Sequence, residues 1–287
     1  MAPEGNSRFA TWEDAVCWLR NQPDRRDLVQ AAYYDDPLLA AAHRYESSGE
    51  WTEIARMIPP GSTRALDVGA GRGIASFALA RAGCRVDALE PDPSDIVGAG
   101  AITALAAETN LPITVTREFS ESLPYRDCCF DVVFARAVLH HTSDLKAACR
   151  EFFRVLRPGG RLIAVREHVI TTRADLPAFL DSHPLHHLYG GENAFMLQEY
   201  RGAIAAAGFT LHASLGPLCS AINYSPRTAR EVRDEVARRV SGGLTGVQSA
   251  ISAALGLPGI WPVFARVLSW ADRRPGRLYS FVADRPA

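Results

Sequence analysis

The sequence lacks an excess of charge of either sign. Lysine and arginine together number 31 and aspartate and glutamate 32, so the formal net charge is −1 at pH 7. A dense run of basic residues is also missing. Proteins that bind nucleic acid usually carry a basic patch or stripe. The composition therefore argues against DNA or RNA as a partner.

Paired cysteines and an apolar leader are missing as well. None of the six cysteines has Cys-x-x-Cys spacing, and Cys128 and Cys129 are neighbours. This usage indicates reduced thiols rather than a disulfide framework. The first 23 residues contain no apolar signal-peptide core, because Glu13, Asp14 and Arg20 interrupt them. We therefore expect a cytoplasmic protein.

The chain has no long uninterrupted apolar run. Residues 240–265 are uncharged, but glycine, proline and glutamine break the stretch. A membrane span needs about 20 consecutive, mostly apolar residues. We expect two buried helices that meet at residues 257–259, and no membrane span. Contact of this segment with a membrane surface or with an apolar acceptor molecule is the less favoured alternative.

A glycine-rich turn is the most informative feature that the chain does contain. Residues 63–80 predict a buried strand, then Gly69, Gly71 and Gly73, and then a helix. Glycines at such a turn let the backbone approach a ligand, and the first N–H groups of the helix favour an anion. A dinucleotide fingerprint needs its third glycine where Ile74 stands, which disfavours a nicotinamide oxidoreductase. A turn that serves only helix–strand packing is the alternative.

An acidic residue follows the turn at an informative distance. Glu90 and Pro91 end the second predicted strand, about 20 residues after Gly69. A carboxylate at this place accepts two hydrogen bonds from the vicinal diol of a ribose. Capping of the next helix is a weaker explanation for Glu90, because Asp92 and Ser94 already offer caps. The two features together favour a nucleoside cofactor over a packing turn.

These residues carry a resemblance to a known family. Asp67 and the three glycines match Asp-x-Gly-x-Gly-x-Gly, which is motif I of the class I S-adenosylmethionine (SAM)-dependent methyltransferases, and Glu90 matches their motif II. Residues 154–160 also resemble the family's motif before its fifth strand. The chain thus resembles the small-molecule, ubiquinone/menaquinone-type branch over residues 60–169. The resemblance implies SAM as cofactor and methyl transfer to an O, N or C atom of a small-molecule acceptor.

The expected fold class is α/β. We predict a doubly wound, Rossmann-like, seven-stranded, mostly parallel sheet with an antiparallel edge strand, N-terminal helices and helical or cap insertions. The chain divides into an N-terminal helical cover at 1–60, a SAM-binding core at 61–170, an acceptor-binding cap at 171–207, and the end of the sheet at 208–287. A helical insertion at about 226–273 departs from the family. It could shape an apolar acceptor pocket or a dimer surface, so a homodimer is one option.

The resemblance assigns cofactor binding to the glycine turn and to the ends of the second, third and fourth strands. The candidates are Asp67, Gly69, Ala70, Gly71, Gly73, Glu90, Pro91, Phe119, Ser120, Ala135 and Arg136. Many relatives have at position 119 an aspartate that binds the adenine amino group. Here Phe119 could stack on the adenine ring, or Ser120 could supply a polar contact.

Four residues after the fourth and fifth strands are the candidate catalytic groups: His140, His141, Glu167 and His168. Ligands of open α/β sheets bind outside the carboxyl ends of the strands. An oxygen or carbon acceptor must lose a proton, and histidine suits that task near neutral pH. We predict His140 or His141 as general base, with Glu167 or His168 assisting. Alternatively, one of these histidines only packs against SAM or caps the next helix.

Polar residues of the cap are assigned to acceptor binding: His183, His186, His187, Tyr189, Glu192 and Asn193. Three histidines and a glutamate could ligate zinc or iron. Pro184 breaks helical register, however, and no cysteine is near, so we expect no metal.

A rival from another class is a non-catalytic or regulatory protein that keeps the SAM-binding fold. A nucleic-acid methyltransferase is disfavoured, because residues 135–138 are Ala-Arg-Ala-Val where an Asn/Asp-Pro-Pro-Tyr tetrapeptide would stand.

Overall fold

A computed structural model describes residues 8–242 and 244–287. Residues 1–7 of the predicted N-terminal cover and residue 243 of the predicted insertion lie outside the described part. The strands form one sheet in the order β3-β2-β1-β4-β5-β8-β7, with β6 beside β5. They are β1 (Arg64–Val68), β2 (Arg85–Leu89), β3 (Ile113–Thr116), β4 (Phe130–Arg136), β5 (Leu156–Ile170), β6 (Phe195–Met196), β7 (Thr210–Leu215) and β8 (Arg277–Asp284).

Helices precede the sheet and connect its strands. The four N-terminal helices are α1 (Trp12–Arg20), α2 (Arg26–Ala31), α3 (Leu38–Glu46) and α4 (Gly49–Ala55). The connecting helices are α5 (Ile74–Arg81), α6 (Ala99–Thr109), α7 (Leu145–Val155), α8 (Leu176–Ser182), α9 (His186–Tyr189) and α10 (Leu197–Ala206). Between β7 and β8 stand α11 (Ala221–Tyr224), α12 (Ala229–Val240), α13 (Thr245–Leu255) and α14 (Ile260–Ala271).

The register of the central strands brings their carboxyl ends to one edge. Val68 at the end of β1 pairs with Leu89 of β2 and with Ala135 of β4, all in parallel orientation. The loops after these three strands therefore face one crevice, as the doubly wound fold requires. Two apolar layers cover the sheet, one containing Val133 of β4 and the other its neighbour Phe134. Alternating residues of one strand thus serve both faces.

The predicted fold class is confirmed, and the structure refines its far end. Strand β8 runs antiparallel to both β5 and β7, so the antiparallel strand lies one place in from the edge. The two-residue strand β6 is an addition to the seven predicted strands.

The sequence predicts a turn at 157–160 and then a strand at 161–165, but strand β5 is longer and includes both. Leu156 already pairs with Phe130, and Arg161 pairs with Val132, so the predicted turn at 157–160 bulges out within the strand. At the other end a second irregularity falls at Arg166, whose φ is +61°. The extension places Glu167 and His168 on a strand rather than in a loop.

The sequence after β2 predicts a helix from Ser94 to Glu108, but the helix begins later, at Ala99. The hydroxyl of Ser94 accepts the N–H groups of Ile96 and Val97, and the carbonyl of Asp92 accepts the N–H of Ala99 at 2.8 Å. These local bonds hold residues 94–98 in a loop, because they compete with helical bonds.

Helices α13 and α14 are separate, as predicted, and they are bent by 107° relative to each other. Their predicted burial is wrong. Apolar side chains such as Trp270 (74% exposed) and Val263 (61%) face outward. No single helix in the described ranges has the length and apolarity for a membrane crossing, and only the bent pair passes by length and composition.

Candidate active site

The glycine turn has the backbone that its sequence predicts. Gly69, Gly71 and Gly73 have φ values of +60°, +54° and +81°, a region that L side chains rarely adopt. A Cβ on Gly69 would lie 2.6 Å from a methyl group of Val138. A Cβ on Gly71 would meet no described atom within 4 Å. Gly69 therefore allows the β4 loop to pack closely, whereas Gly71 faces open space that a ligand can approach.

Glu90 closes the crevice opposite the turn. Its carboxylate accepts the N–H of Gly71 at 2.7 Å and that of Asp92 at 3.0 Å. Burial raises the pKa of Glu90 to about 7. The structure thus brings together the two residues on which the cofactor assignment depends.

Asp67 and Ala70 hold the glycine turn in place through hydrogen bonds to neighbouring elements. The Asp67 carboxylate is buried and accepts the hydroxyl of Ser76 at 2.6 Å, which ties β1 to α5. Burial raises the pKa of Asp67 to about 7. The N–H of Ala70 donates to the carbonyl of Leu89 at 3.0 Å. These contacts hold the turn against the end of β2.

The loop after β3 presents an aromatic ring. Phe119 is 58% exposed, whereas the hydroxyl of the buried Ser120 donates to Glu121 at 2.9 Å. Pro91 is half-buried and Ala135 is buried in β4. Of the two predicted adenine contacts, the ring of Phe119 is exposed to a ligand, whereas Ser120 is buried and its hydroxyl hydrogen is already bonded to Glu121.

Arg136 has a protein partner that the sequence did not predict. Its guanidinium donates to the buried carboxylate of Glu50 on α4 at 2.6 and 3.2 Å. The guanidinium also lies over the rings of Tyr33 and Tyr45. The structure therefore places this cofactor candidate as a link between β4 and the N-terminal helices.

Arg72 is a second residue that sequence reasoning missed. It is buried, and it donates to the carbonyls of Tyr33 at 2.9 Å and Asp35 at 2.8 Å and pairs with Asp36. The sequence feature that could have indicated this role is the presence of an arginine within a turn of small residues. These bonds hold the segment between α2 and α3 against the glycine turn.

Glu167 organises the loop after β4. Its buried carboxylate accepts the N–H groups of Val138, Leu139 and His140 and lies 2.7 Å from Nδ1 of His140. Burial raises the pKa of Glu167 to about 7 and lowers that of His140 well below its ordinary value. The predicted His–Glu pair is therefore in contact, and burial disfavours the charged form of the His140 imidazole.

His141 differs from His140 in its access to solvent. The side chain of His141 is 40% exposed and that of His140 is 1% exposed. Nδ1 of His141 donates to the carbonyl of Gly191 at 2.9 Å. Its Nε2 lies 3.8 Å from a carboxylate oxygen of Glu192. His141 thus joins the β4 loop to the cap and keeps Nε2 available.

The cap brings two of its predicted residues to this place. Nε2 of His140 is 3.7 Å from Oε2 of Glu192, and Nδ1 of His183 is 3.7 Å from Oε1. The ring centroid of His168 lies 4.7 Å from the ring centroid of His140 and 5.2 Å from that of His183. Burial lowers the pKa of His168 to about 3 and that of His183 to about 4.

The other cap candidates have different surroundings. Nε2 of His187 donates to the carbonyl of Asp181 at 2.7 Å, and the ring of Tyr189 packs 5.9 Å from that of Trp12. His186 lies beside His187 on α9, and Asn193 is half-buried before β6. The structure therefore divides the predicted acceptor residues, and their close contacts bring His183 and Glu192 to the histidines of the core.

Comparison with known proteins agrees with this geometry. Residues 66–164 match the family model of a methyltransferase domain. A ubiquinone biosynthesis O-methyltransferase of Methylobacterium nodulans is 35% identical over 109 residues, which are 38% of this chain and 43% of that protein. A 27-O-demethylrifamycin SV methyltransferase of Amycolatopsis mediterranei is 31% identical over 182 residues, 61% of this chain and 64% of that protein. The chain thus spans less than two thirds of the length of these relatives.

A solved structure extends the likeness over nearly the whole fold. Geranyl diphosphate methyltransferase, in complex with geranyl diphosphate and sinefungin, superimposes with a TM-score of 0.58 at 20% identity. The superposition covers 95% of this chain and 98% of that one. At this identity the likeness concerns the fold alone. The family-model match over residues 66–164 and the joined motifs at Gly71 and Glu90 lead to one conclusion: this part of the chain is a methyltransferase domain of the class I, SAM-dependent type.

Proposed function

We propose that this chain transfers the methyl group of SAM to an O, N or C atom of a small-molecule acceptor. The observation that carries the proposal is the hydrogen bond from the Gly71 amide to the Glu90 carboxylate, which joins both cofactor motifs across one crevice. A hydroxyl is the first acceptor group to test, since one relative is an O-methyltransferase of ubiquinone biosynthesis.

The residues of the crevice fit SAM. A Cβ on Gly71 would stand in the space that the cofactor needs, and the carboxylate of Glu90 suits a ribose diol. Phe119 offers an exposed ring for the adenine. When bound, SAM supplies a methyl group that is already electrophilic because it is attached to a sulfonium.

His141 is the general base in this proposal, and His140 positions it. His141 is exposed, and its Nδ1 donates to Gly191, so Nε2 carries the lone pair that accepts the acceptor's proton. His140 is buried and held by Glu167, which also binds the amides of the loop. A positioned base typically contributes about 10²–10⁴-fold in rate.

The acceptor would lie between the β4 loop and the cap. His183 and Glu192 face the core histidines, and they support this placement of the acceptor-binding surface. The roles of His186, His187, Tyr189 and Asn193 stay predictions, as does the division into four parts. So do the cytoplasmic location and a homodimer, for which the outward apolar face of α13 and α14 offers a surface.

Calorimetry with S-adenosylhomocysteine and SAM tests the cofactor, and a methyl-transfer screen with labelled SAM against hydroxyl, amine and enol acceptors tests the reaction. Gly71→Val should abolish binding, because a branched side chain would block backbone approach, and Glu90→Ala should weaken it. Normal affinity in both variants would contradict the proposal. Tight binding without transfer to any metabolite pool would favour the regulatory alternative.

A further inference from the structure

Four ligand-type side chains from three parts of the chain converge beside the cofactor crevice. His140 follows β4, His168 lies on β5, and His183 and Glu192 belong to the cap. One ligand atom each of His140, His168 and Glu192 lies within 4.8 Å of the other two. Nδ1 of His183 lies 3.7 Å from the second carboxylate oxygen of Glu192. Their convergence is a product of the tertiary fold.

Hydrogen bonds to the outer nitrogens prepare two of these imidazoles as ligands. Nδ1 of His140 donates to Glu167 at 2.7 Å, and Nδ1 of His168 donates to the carbonyl of Gly276 at 2.9 Å. Each Nδ1 therefore carries the proton, and each Nε2 keeps its lone pair. Metal-binding histidines usually donate their other N–H to a carboxylate or a backbone carbonyl in this way.

Two polar atoms of the cap that face these imidazoles have no hydrogen-bond partner among the described residues. Oε2 of Glu192 and Nδ1 of His183 are buried and have no hydrogen-bond partner within residues 8–242 and 244–287. The Glu192 side chain is only 10% exposed. Leaving a buried carboxylate oxygen without a hydrogen bond or a positive charge is costly. A group that the protein itself does not supply would relieve that cost.

The distances fit a shared cation better than direct contacts. A separation of 3.7 Å between His140 Nε2 and Glu192 Oε2 is too long for a hydrogen bond. Two ligands that each lie about 2.1 Å from a tetrahedral ion are about 3.4 Å apart. A shift of a few tenths of an ångström would therefore bring both onto one ion.

We propose that His140, His168 and Glu192 bind a divalent transition-metal ion of the Zn²⁺ class, with His183 as fourth ligand. Imidazole nitrogens combined with one carboxylate suit Zn²⁺, Fe²⁺ or Ni²⁺, whereas Mg²⁺ and Ca²⁺ prefer oxygen ligands. This inference departs from the sequence-based expectation of no metal, which weighed only the histidines and the glutamate within the cap. It does not depend on the proposed methyl transfer.

The ion would fasten the cap to the sheet. Its ligands come from the β4 loop, from β5 and from the cap, so the cap could not open without breaking metal bonds. Because the complete ligand set exists only in the folded chain, binding also stabilises the fold.

The test uses the full chain after treatment with EDTA and removal of the chelator. Titration with ZnCl₂ should show saturable binding of one ion per chain and a rise in Tm, and CoCl₂ should give visible absorption bands of a nitrogen- and oxygen-ligated ion. MgCl₂ should do neither. His168→Ala and Glu192→Gln should each weaken Zn²⁺ binding by more than about 100-fold, because outer partners alone are worth about 10–100-fold.

His212→Ala is the matched control. His212 is exposed and pairs with Asp284 at 2.9 Å, away from the cluster, so its loss should leave Zn²⁺ affinity unchanged. Absence of saturable Zn²⁺ binding, or wild-type affinity in Glu192→Gln, would overturn the proposal. Glu192→Gln keeps the side-chain shape and serves if His168→Ala does not fold. Binding of S-adenosylhomocysteine, measured on the same samples, separates failure of the metal site from failure of the proposed function.

Discussion

Arg136 and Glu50 form a buried ion pair at 2.6 Å that joins the end of β4 to helix α4. The guanidinium makes two hydrogen bonds to one carboxylate, a geometry that favours arginine over lysine. Arg166 lies 3.6 Å from the same carboxylate. One acidic side chain thus compensates two arginines beneath the N-terminal helices.

Removal of Glu50 should destabilise the fold strongly. In Glu50→Ala two partly buried arginines lose the buried carboxylate that pairs with them, and loss of one member of a buried pair typically costs about 3–5 kcal/mol. Denaturant unfolding measures the change. Glu53→Ala on the same helix is the control, since Glu53 forms an exposed pair with Arg56 that is worth about 0–1 kcal/mol. Equal stability of both variants would contradict a central role for Glu50.

SAM affinity should fall as the pH drops below about 7. Burial raises the pKa of Glu90 to about 7, so the carboxylate becomes protonated below that pH and accepts ribose hydrogen bonds less well. The ionised form binds better, so affinity should be full above pH 8 and decline by at most about tenfold per pH unit below 7. Calorimetry from pH 5.5 to 8.5 gives the profile. Glu90→Gln should flatten it, and a flat wild-type profile would speak against Glu90 as the ribose ligand.

Phe119→Ala should weaken SAM binding without affecting the fold. Stacking of a base on an aromatic ring is worth about 1–3 kcal/mol by alanine substitution, which corresponds to about 5–150-fold in Kd. Because Phe119 is 58% exposed, its removal should change the free energy of unfolding by no more than about 0.5 kcal/mol. Phe119→Tyr keeps a ring and should restore affinity. Unchanged affinity in Phe119→Ala would exclude stacking.

His141→Ala should reduce kcat by about 10²–10⁴-fold while the Kd of SAM stays constant, because the base acts only on the acceptor. Single-turnover rates with an accepted substrate measure the effect. His140→Ala, alone and combined with His141→Ala, tests the alternative base, and His212→Ala is the surface control. If turnover is unchanged in all three active-site variants, neither histidine is the base.

Local spacing determined much of the fold in advance. The strand, glycine turn and helix of residues 64–81 follow from hydrophobic periodicity and from three residues that tolerate positive φ. The sequence also indicates Thr11 as the cap of α1, and its hydroxyl accepts the N–H of Asp14. Glu90 was predictable because the distance between the two motifs reflects one strand–helix–strand unit.

Element boundaries near turns were less predictable. Arg-Pro-Gly-Gly at 157–160 predicts a turn, and the structure accommodates it as a bulge within β5, because pairing with β4 continues on both sides. The helix after β2 begins at Ala99 because backbone and side-chain bonds around Asp92 and Ser94 compete with helix formation.

The sequence by itself determined the methyltransferase domain and the two motifs that face the cofactor crevice, because these motifs depend on residues within one strand–turn–helix–strand unit. Only the tertiary structure decided that Arg72 and Arg136 are held by the N-terminal segment, and that His140, His168, His183 and Glu192 share one place. The contacts among these four residues depend on how the cap folds back over β5. Hydrophobic periodicity records which face of an element is buried, but it does not record which distant segment covers that face.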